Sequence, residues 1–502
     1  MQQLQGNRGT IGSRGPWTAL LAILAAGSLL GGEKPLTPFQ PVAVPGEDFL
    51  LRPEAERPLQ SLVIGVQAQR SGMAAIPGVE PGPSPDDRLA VRLRQELNAI
   101  NVEIDHGRLL AFLPAHSRLF VAIPDPKGNP EASGHEEEDF RFYLEQRVGW
   151  SRDEIARRVR FFSVPYPVLF PRDLSEILGL DSRHRLVLGL GRDADPVYAR
   201  ALERLVGLFP DSFRLIRLRG VGVRNVNTEG GDIGLVWTPE GRVGLLVGRH
   251  RVLRYLEHHY GEDLTAKPVS RERIEEARAA FQAAFFGVEV IILGEEVLSK
   301  PELGSEQLFH ADMVVSVMRG RGRAVAFVPT FRGAPIDAIT HVPVASDVVS
   351  RVQSEYDVVA AQMARRGYAV VRLPYADHPV RSPVNSTPFV EPATGQPWVL
   401  LGRYPEHLVW KPGGPIPLFP LQDAMDDLTE RVLHWRKSAL EEDGRLVSAA
   451  LARVWREWDQ SLLGENPIFE EQKRLYEENG IRVRAVPMIP SGAGGIHCLL
   501  LR

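Results

Sequence analysis

The sequence predicts an α/β fold, and three observations carry the prediction. From residue 62 onward, short apolar runs alternate with longer amphipathic windows, the pattern of strands interleaved with helices. The order strand, turn, strand, helix, strand also occurs twice. The first copy is 233–237, the turn Thr238-Pro239-Glu240-Gly241, 243–247, a helix from 249 and a strand at 288–293. The second is 313–317, the turn Arg319-Gly320-Arg321-Gly322, 324–328, a helix from 346 and a strand at 369–373. Finally, 502 residues at 44% hydrophobic and 24% charged are ordinary globular composition, which excludes a mainly disordered chain and leaves ample length for a core. A net charge of -4 gives no electrostatic basis for binding nucleic acid.

Taken in order, residues 1–36 read as an export leader or N-terminal anchor. Arg8 and Arg14 precede an apolar run at 17–30 that contains the small residues Ala25, Ala26, Gly27 and Ser28. The run falls short of the roughly 20 apolar residues a membrane span needs. The membrane therefore enters only through an uncleaved N-terminal segment. A periplasmic or extracellular location is the expectation from this run alone, with a cytosolic tail and a cytoplasmic protein as the alternative. Residues 37–61, rich in proline at their start, read as a linker into a folded part at 62–502.

Within that part the remaining predicted strands are 62–66, 119–123, 159–164, 186–190, 213–218 and 398–401. Predicted helices are 86–99, 153–158, 196–208, 249–260, 271–286, 346–366 and 469–479. A helical pair at 423–463, within an insertion at 421–463, carries charges such as Glu430, Arg431 and Lys437 that make a solvated face.

The chemistry concentrates in four short stretches. The last of them along the chain is Ser491-Gly492-Ala493-Gly494-Gly495-Ile496-His497-Cys498, which holds the single cysteine of the chain and so a thiol with no intramolecular disulfide partner. Its small residues let the backbone bend sharply and approach a ligand. Leu499, Leu500 and Leu501 predict a short buried strand that would hold the sulfur. On such a strand His497 and Cys498 face opposite sides, so His497 is not predicted as the partner base. The plain alternative is a buried cysteine acting as one more small hydrophobe.

The other three are Phe170-Pro171-Arg172-Asp173, Asn227-Thr228-Glu229-Gly230-Gly231-Asp232, and Phe309-His310-Ala311-Asp312, where His310 and Asp312 would share one face of a strand. Their structural alternatives are a surface ion pair, a tight turn with solvated carboxylates, and a satisfied structural histidine. A metal held by His310 and Asp312 with His258 and His259 lacks a third ligand at a familiar spacing, so no metal and no cofactor are predicted. Arg224, Asn225 and Asn227 are candidates for a substrate carboxylate by proximity alone. Asn385 and Ser386 read as a solvated loop, with a place at the mouth of a site as the alternative.

Together, Asp173, Glu229-Gly230-Gly231-Asp232, His310-Ala311-Asp312 and Gly494-Gly495-Ile496-His497-Cys498 resemble, in order and flanks, the motif set of the guanidino-group-modifying enzymes, the pentein superfamily. That group includes the arginine, agmatine and peptidyl-arginine deiminases and the amidinotransferases. The resemblance spans about 62–502. It implies a five-bladed, pseudo-symmetric α/β propeller of strand-strand-helix-strand modules. It also implies Cys498 as nucleophile, His310 as acid and base, and Glu229 orienting or charging that histidine. Asp173, Asp312 and Asp232 then bind the substrate, a small-molecule or peptidyl guanidine. The sequence departs from agmatine deiminases at Asp232, where those tend to carry Asn, and near Phe170, where they tend to carry Trp. Ala311 is smaller than the residue usual between the histidine and aspartate.

The chemistry asks for these residue types on its own account. A guanidinium is planar and rich in N–H donors, which carboxylates match in pairs. Its carbon is a poor electrophile, which calls for a thiolate. Three functions follow from the resemblance: a deiminase giving a ureido product through a thiouronium intermediate, an amidinotransferase using the same groups, or a catalytically idle binding module. A papain-like hydrolase places cysteine early and histidine late, the reverse of this chain.

Overall fold

Strands whose residues are all buried on both faces can only be central, and Leu186–Leu190 and Val243–Val247 are such strands. In the computed structural model each is an interior strand of a separate sheet. The structure describes residues 39–66, 91–92, 94–96, 98–99, 102–103, 106, 108–129, 132, 134–165, 171–191, 196–218, 230–264, 267–308, 310–335, 343–377, 379–404, 449, 452–453, 456, 466–488, 497, 499 and 501.

The fold is mixed α/β, with several small sheets and no closed sheet. Four modules share one connectivity, in which two antiparallel strands are followed by a helix and a third strand parallel to the second. In the first, Glu176–Asp181 pairs antiparallel with Leu186–Leu190, and helix Pro196–Leu208 leads to Phe213–Arg217, parallel to Leu186–Leu190. The second joins Ile233–Trp237, Val243–Val247 and Glu289–Ile292, with helices Arg249–Tyr260 and Arg271–Ala284 between the last two strands. The third joins Ser316–Gly320, Arg323–Phe331 and Ala369–Tyr375 through helix Ser346–Arg365. The fourth joins Thr387–Val390, Pro397–Arg403 and Arg482–Pro487, with helix Pro467–Glu478 before the last strand. The fifth sheet holds Ser61–Gly65, Arg118–Pro124 and Val159–Val164, all parallel. Leu501 bridges Val63 antiparallel, which repeats the antiparallel-then-parallel order with its first partner drawn from the other end of the sequence.

The predicted helices 196–208 and 249–260 and strands 159–164, 233–237 and 243–247 fall where the hydrophobic period put them. Three expectations are corrected. The stretch 37–61 is not a linker where it is described. Phe49–Leu51 pairs antiparallel with Glu176–Asp181, and Leu59 and Arg57 are buried. Gly179 permits the pairing, because a Cβ there would overlap the Leu50 carbonyl. Second, His310 and Asp312 do not share a strand face. Ala311–Met313 is a turn of 3-10 helix, closed by Met313 N–H donating to the His310 carbonyl at 3.2 Å, and the strand begins only at Ser316. Third, His497 and Leu499 lie in turns, and only Leu501 makes a bridge, so the opposite-face argument against His497 loses its basis. The leader at 1–36 lies outside the described residues, as does the 421–463 insertion except for residues 449, 452–453 and 456, which are helical. Among the described residues no helix is long and apolar enough to cross a membrane.

Candidate functional site

The site is a buried cluster of charge where the edges of several sheets meet. It is built from four short turns and strand ends rather than from any one element. Pro171–Leu174 is a turn of 3-10 helix that runs into Glu176–Asp181, and it buries Arg172. The Arg172 guanidinium donates to Glu176 Oε2 at 2.6 Å and to the Ser175 carbonyl at 3.0 Å, and it lies 3.5 Å from Glu54 Oε2. Glu176 also accepts from the Leu235 N–H at 3.3 Å, while its Oε1 sits 3.8 Å from Arg57 Nη2. All three Arg57 guanidinium nitrogens lack a hydrogen-bond partner among the described residues. Burial pushes the Arg57 guanidinium below its usual range, with Glu54 and Glu176 opposing. Arg172 has the reverse balance. Burial would lower it, but Glu176 and Glu54 outweigh that and hold it firmly protonated.

His497 is at the centre. Its Nδ1 lies 2.8 Å from Asp312 Oδ2 and its Nε2 2.7 Å from Glu54 Oε2. Its backbone N–H donates to Asn385 Oδ1 at 3.1 Å. Burial alone would lower its pKa, but the Glu54 and Asp312 carboxylates outweigh burial and the nearby Arg172, and they raise it above the ordinary imidazole value. Arg172 Nε also approaches His497 Nε2, at 3.4 Å, farther than the Glu54 carboxylate at 2.7 Å.

The four stretches singled out in the sequence thus touch one another. Arg172 of the first lies beside His497 of the last. A Cβ at Gly230 would collide with Arg172 Nη1, so glycine is required where the second stretch passes the first. Asp312 of the third donates its N–H to the Gly231 carbonyl at 3.1 Å and bonds His497 through its side chain. Glu54, Arg172, Gly230, Gly231, Asp312 and His497 also share a cavity of about 50 Å³, room for a few waters.

Other predicted positions fare differently. His310 is half-buried with extended backbone beside the Ala311–Met313 turn. Asp232 is fully buried, and its Oδ2 is paired with Arg251 Nε at 3.2 Å. Cys498, Glu229, Arg224, Asn225 and Asn227 lie outside the described residues, and so does the side chain of Asp173. Asn385 and Ser386 are buried, which overturns the solvated-loop reading. Sequence reasoning missed Glu54, Arg57, Glu176 and the role of His497. The only signal for the first two was a short charged run, Arg52-Pro53-Glu54-Ala55-Glu56-Arg57, with two acids between two bases and apolar flanks.

A larger cavity of about 590 Å³ lies elsewhere, against Arg249, His250 and Leu253. Its other charges, including Lys267, Glu302 and Arg351, are exposed and of mixed sign, so water screens them. It has the size of a site without the convergent buried chemistry. His258 and His259, once weighed as metal ligands, are exposed, and His259 lies 3.3 Å from Glu276.

No family model matches the chain, and no curated protein matches it. Among solved structures it is similar to a variant of dimethylarginine dimethylaminohydrolase in an adduct with S-methyl-L-thiocitrulline. The two are 13% identical over 64% of this chain and 93% of that one, with a TM-score of 0.20, a likeness too slight to carry an argument.

Proposed function

We propose that the chain is a cysteine-dependent hydrolase of a guanidine group, a deiminase that gives a ureido product and ammonia. The observation that supports this reading is the convergence of the four stretches on one buried, carboxylate-rich cluster around His497. The five-bladed pentein arrangement is part of the proposal, and the repeated module connectivity favours it.

In this reading the Cys498 thiolate attacks the guanidinium carbon and a C–S bond forms. His310 protonates the departing nitrogen as its C–N bond breaks, leaving a thiouronium. His310 then takes a proton from water, whose oxygen attacks the same carbon. The C–S bond breaks and the thiolate is restored. Glu229 orients His310, and Asp173 and Asp312 bind the guanidinium N–H groups. Asp232, whose Oδ2 pairs with Arg251, is the third substrate-binding carboxylate of this reading. If the run at 17–30 directs export, the guanidine met outside the cytosol would be that of a peptide arginine.

One observation favours a second reading, a binding module without turnover: the Asp312 Oδ2 that would grip a guanidinium is already engaged by His497. An amidinotransferase would use the same groups with an amine in place of water. Incubation with arginine, agmatine and an arginine peptide, with and without an acceptor amine, separates the three. Ureido groups and ammonia are expected with at least one substrate. Cys498→Ser should abolish turnover with an unchanged melting temperature, and His310→Ala should lower it by about 10²-fold or more. No release of ammonia from any guanidine, or full activity in either variant, would overturn the proposal.

A further inference from the structure

The segment that sequence reading set apart as a linker delivers a carboxylate to the centre of the site. Phe49–Leu51 is locked onto the strand Glu176–Asp181, and the chain then turns through Glu54–Glu56. This places Glu54 Oε2 2.7 Å from His497 Nε2, across 443 positions of sequence. Glu54 is not there chiefly to pair Arg172. That guanidinium is 3.5 Å from Glu54 but 2.6 Å from Glu176. The shortest contact described for Glu54 is the histidine ring.

We propose that Glu54 is a positioning residue that clamps the His497 ring on the side opposite Asp312. Its use in catalysis rests on the deiminase reading; the clamp itself does not. A neutral imidazole has one N–H and can donate to only one of two flanking carboxylates. With Asp312 on Nδ1 and Glu54 on Nε2, both bonds are made only by the imidazolium. Among the described residues, the charged groups facing the ring are Glu54 from the 54–56 turn, Asp312 from the 311–313 turn and Arg172 from the 171–174 turn, with Glu176 and Arg57 behind them. The charge thus sits one residue before the only thiol in the chain.

Glu54→Gln keeps the shape and removes the charge. The direct readout is the pH titration of the His497 ring in ¹³C-histidine-labelled protein, its signal identified by its loss in His497→Gln. The wild-type midpoint should lie above 6.5, and it should fall by about one pH unit or more in Glu54→Gln. Glu56→Gln, on the same turn, should leave it in place. If a guanidine is turned over, the alkaline limb of its kcat/KM profile should move down with the midpoint, whereas a merely structural role would lower activity at every pH alike. Should Glu54→Gln fail to fold, Glu54→Asp, which withdraws the carboxylate by one methylene, should lower the midpoint part of the way. A wild-type midpoint at or below 6.5, or one that neither substitution moves, overturns the clamp. Absent turnover with a Glu54-dependent titration would sink the deiminase reading and leave the clamp standing.

Discussion

Two arginine–glutamate pairs in this molecule, each with a buried carboxylate, are built differently. Arg249 meets Glu355 with Nε 2.7 Å from Oε1 and Nη2 3.3 Å from Oε2, and both residues bond the backbone of Ser305. One cation faces one anion. Arg172 and Glu176, by contrast, belong to a branched cluster in which three carboxylates, Glu54, Glu176 and Asp312, surround two guanidiniums, Arg57 and Arg172. Among the described residues that leaves one negative charge in excess, which a protonated His497 offsets. The lesson is one of titration. A closed pair holds two elements together, whereas a cluster whose neutrality depends on a histidine can gain or lose a proton, and groups so placed mark functional sites.

The largest effects test whether the two pairs differ in this way. Arg249→Met and Arg172→Met each strand a buried carboxylate, and each should destabilise the fold by about 3–5 kcal/mol in chemical denaturation. Only Arg172→Met should also reduce turnover per folded molecule. Glu355→Gln should then rescue most of the stability lost in Arg249→Met, because the amide oxygen still accepts from Ser305 and no charge remains. Glu176→Gln should rescue Arg172→Met less fully, since Glu54, 3.5 Å from the same guanidinium, also loses its cation. Equal rescue at both places would mean that the branched cluster is only a larger staple.

The same contrast explains what could be read in the sequence. Elements with strong local periods were legible. Helix Arg249–Tyr260 shows its 3.6-residue apolar stripe, and Val243–Val247 is a continuous apolar run between turn residues. The positions of Asp312, Gly230 and His497 were legible as chemistry-bearing, because small residues flank them. What failed was conformation at the motifs themselves. Ala311–Met313 turns because Asp312 reaches back to the Gly231 carbonyl, a contact made in the fold and not in the local sequence. Glu54 was invisible for the same reason, since its partner lies at the far end of the chain and proline around it reads as linker. The strand Phe49–Leu51 is too short for an alternation to register against background.

A smaller effect probes the junction of the stretches. Gly230→Ala sets a methyl group against Arg172 Nη1 and the Ser175 carbonyl, one a guanidinium held on two sides and the other a backbone atom. Neither can retreat freely, so the substitution should cost about 1–3 kcal/mol by overpacking and lower turnover with it. Gly207→Ala, where a Cβ meets open space within helix Pro196–Leu208, should instead be neutral or slightly stabilising. If the two alanines behaved alike, the close approach at Gly230 would have no bearing on the cluster.

The smallest effect is the pH dependence of stability, and there the two networks should separate by window rather than by sign. His497 has a folded pKa above 6.5, so the folded state binds that proton more tightly than the unfolded chain does. Its contribution is complete below 6.5 and is lost as pH rises through the folded value. Glu355 is also raised, because burial outweighs Arg249, but from 4.5, so its contribution declines from the acid side. Melting temperature followed upward from pH 6.5 should therefore fall in the wild type. The slope should flatten in His497→Gln and persist in Glu355→Gln. A slope that survives in His497→Gln would place the titrating proton outside the cluster, and the distinction between a staple and a proton-exchanging centre would have to be redrawn around whichever group carries it.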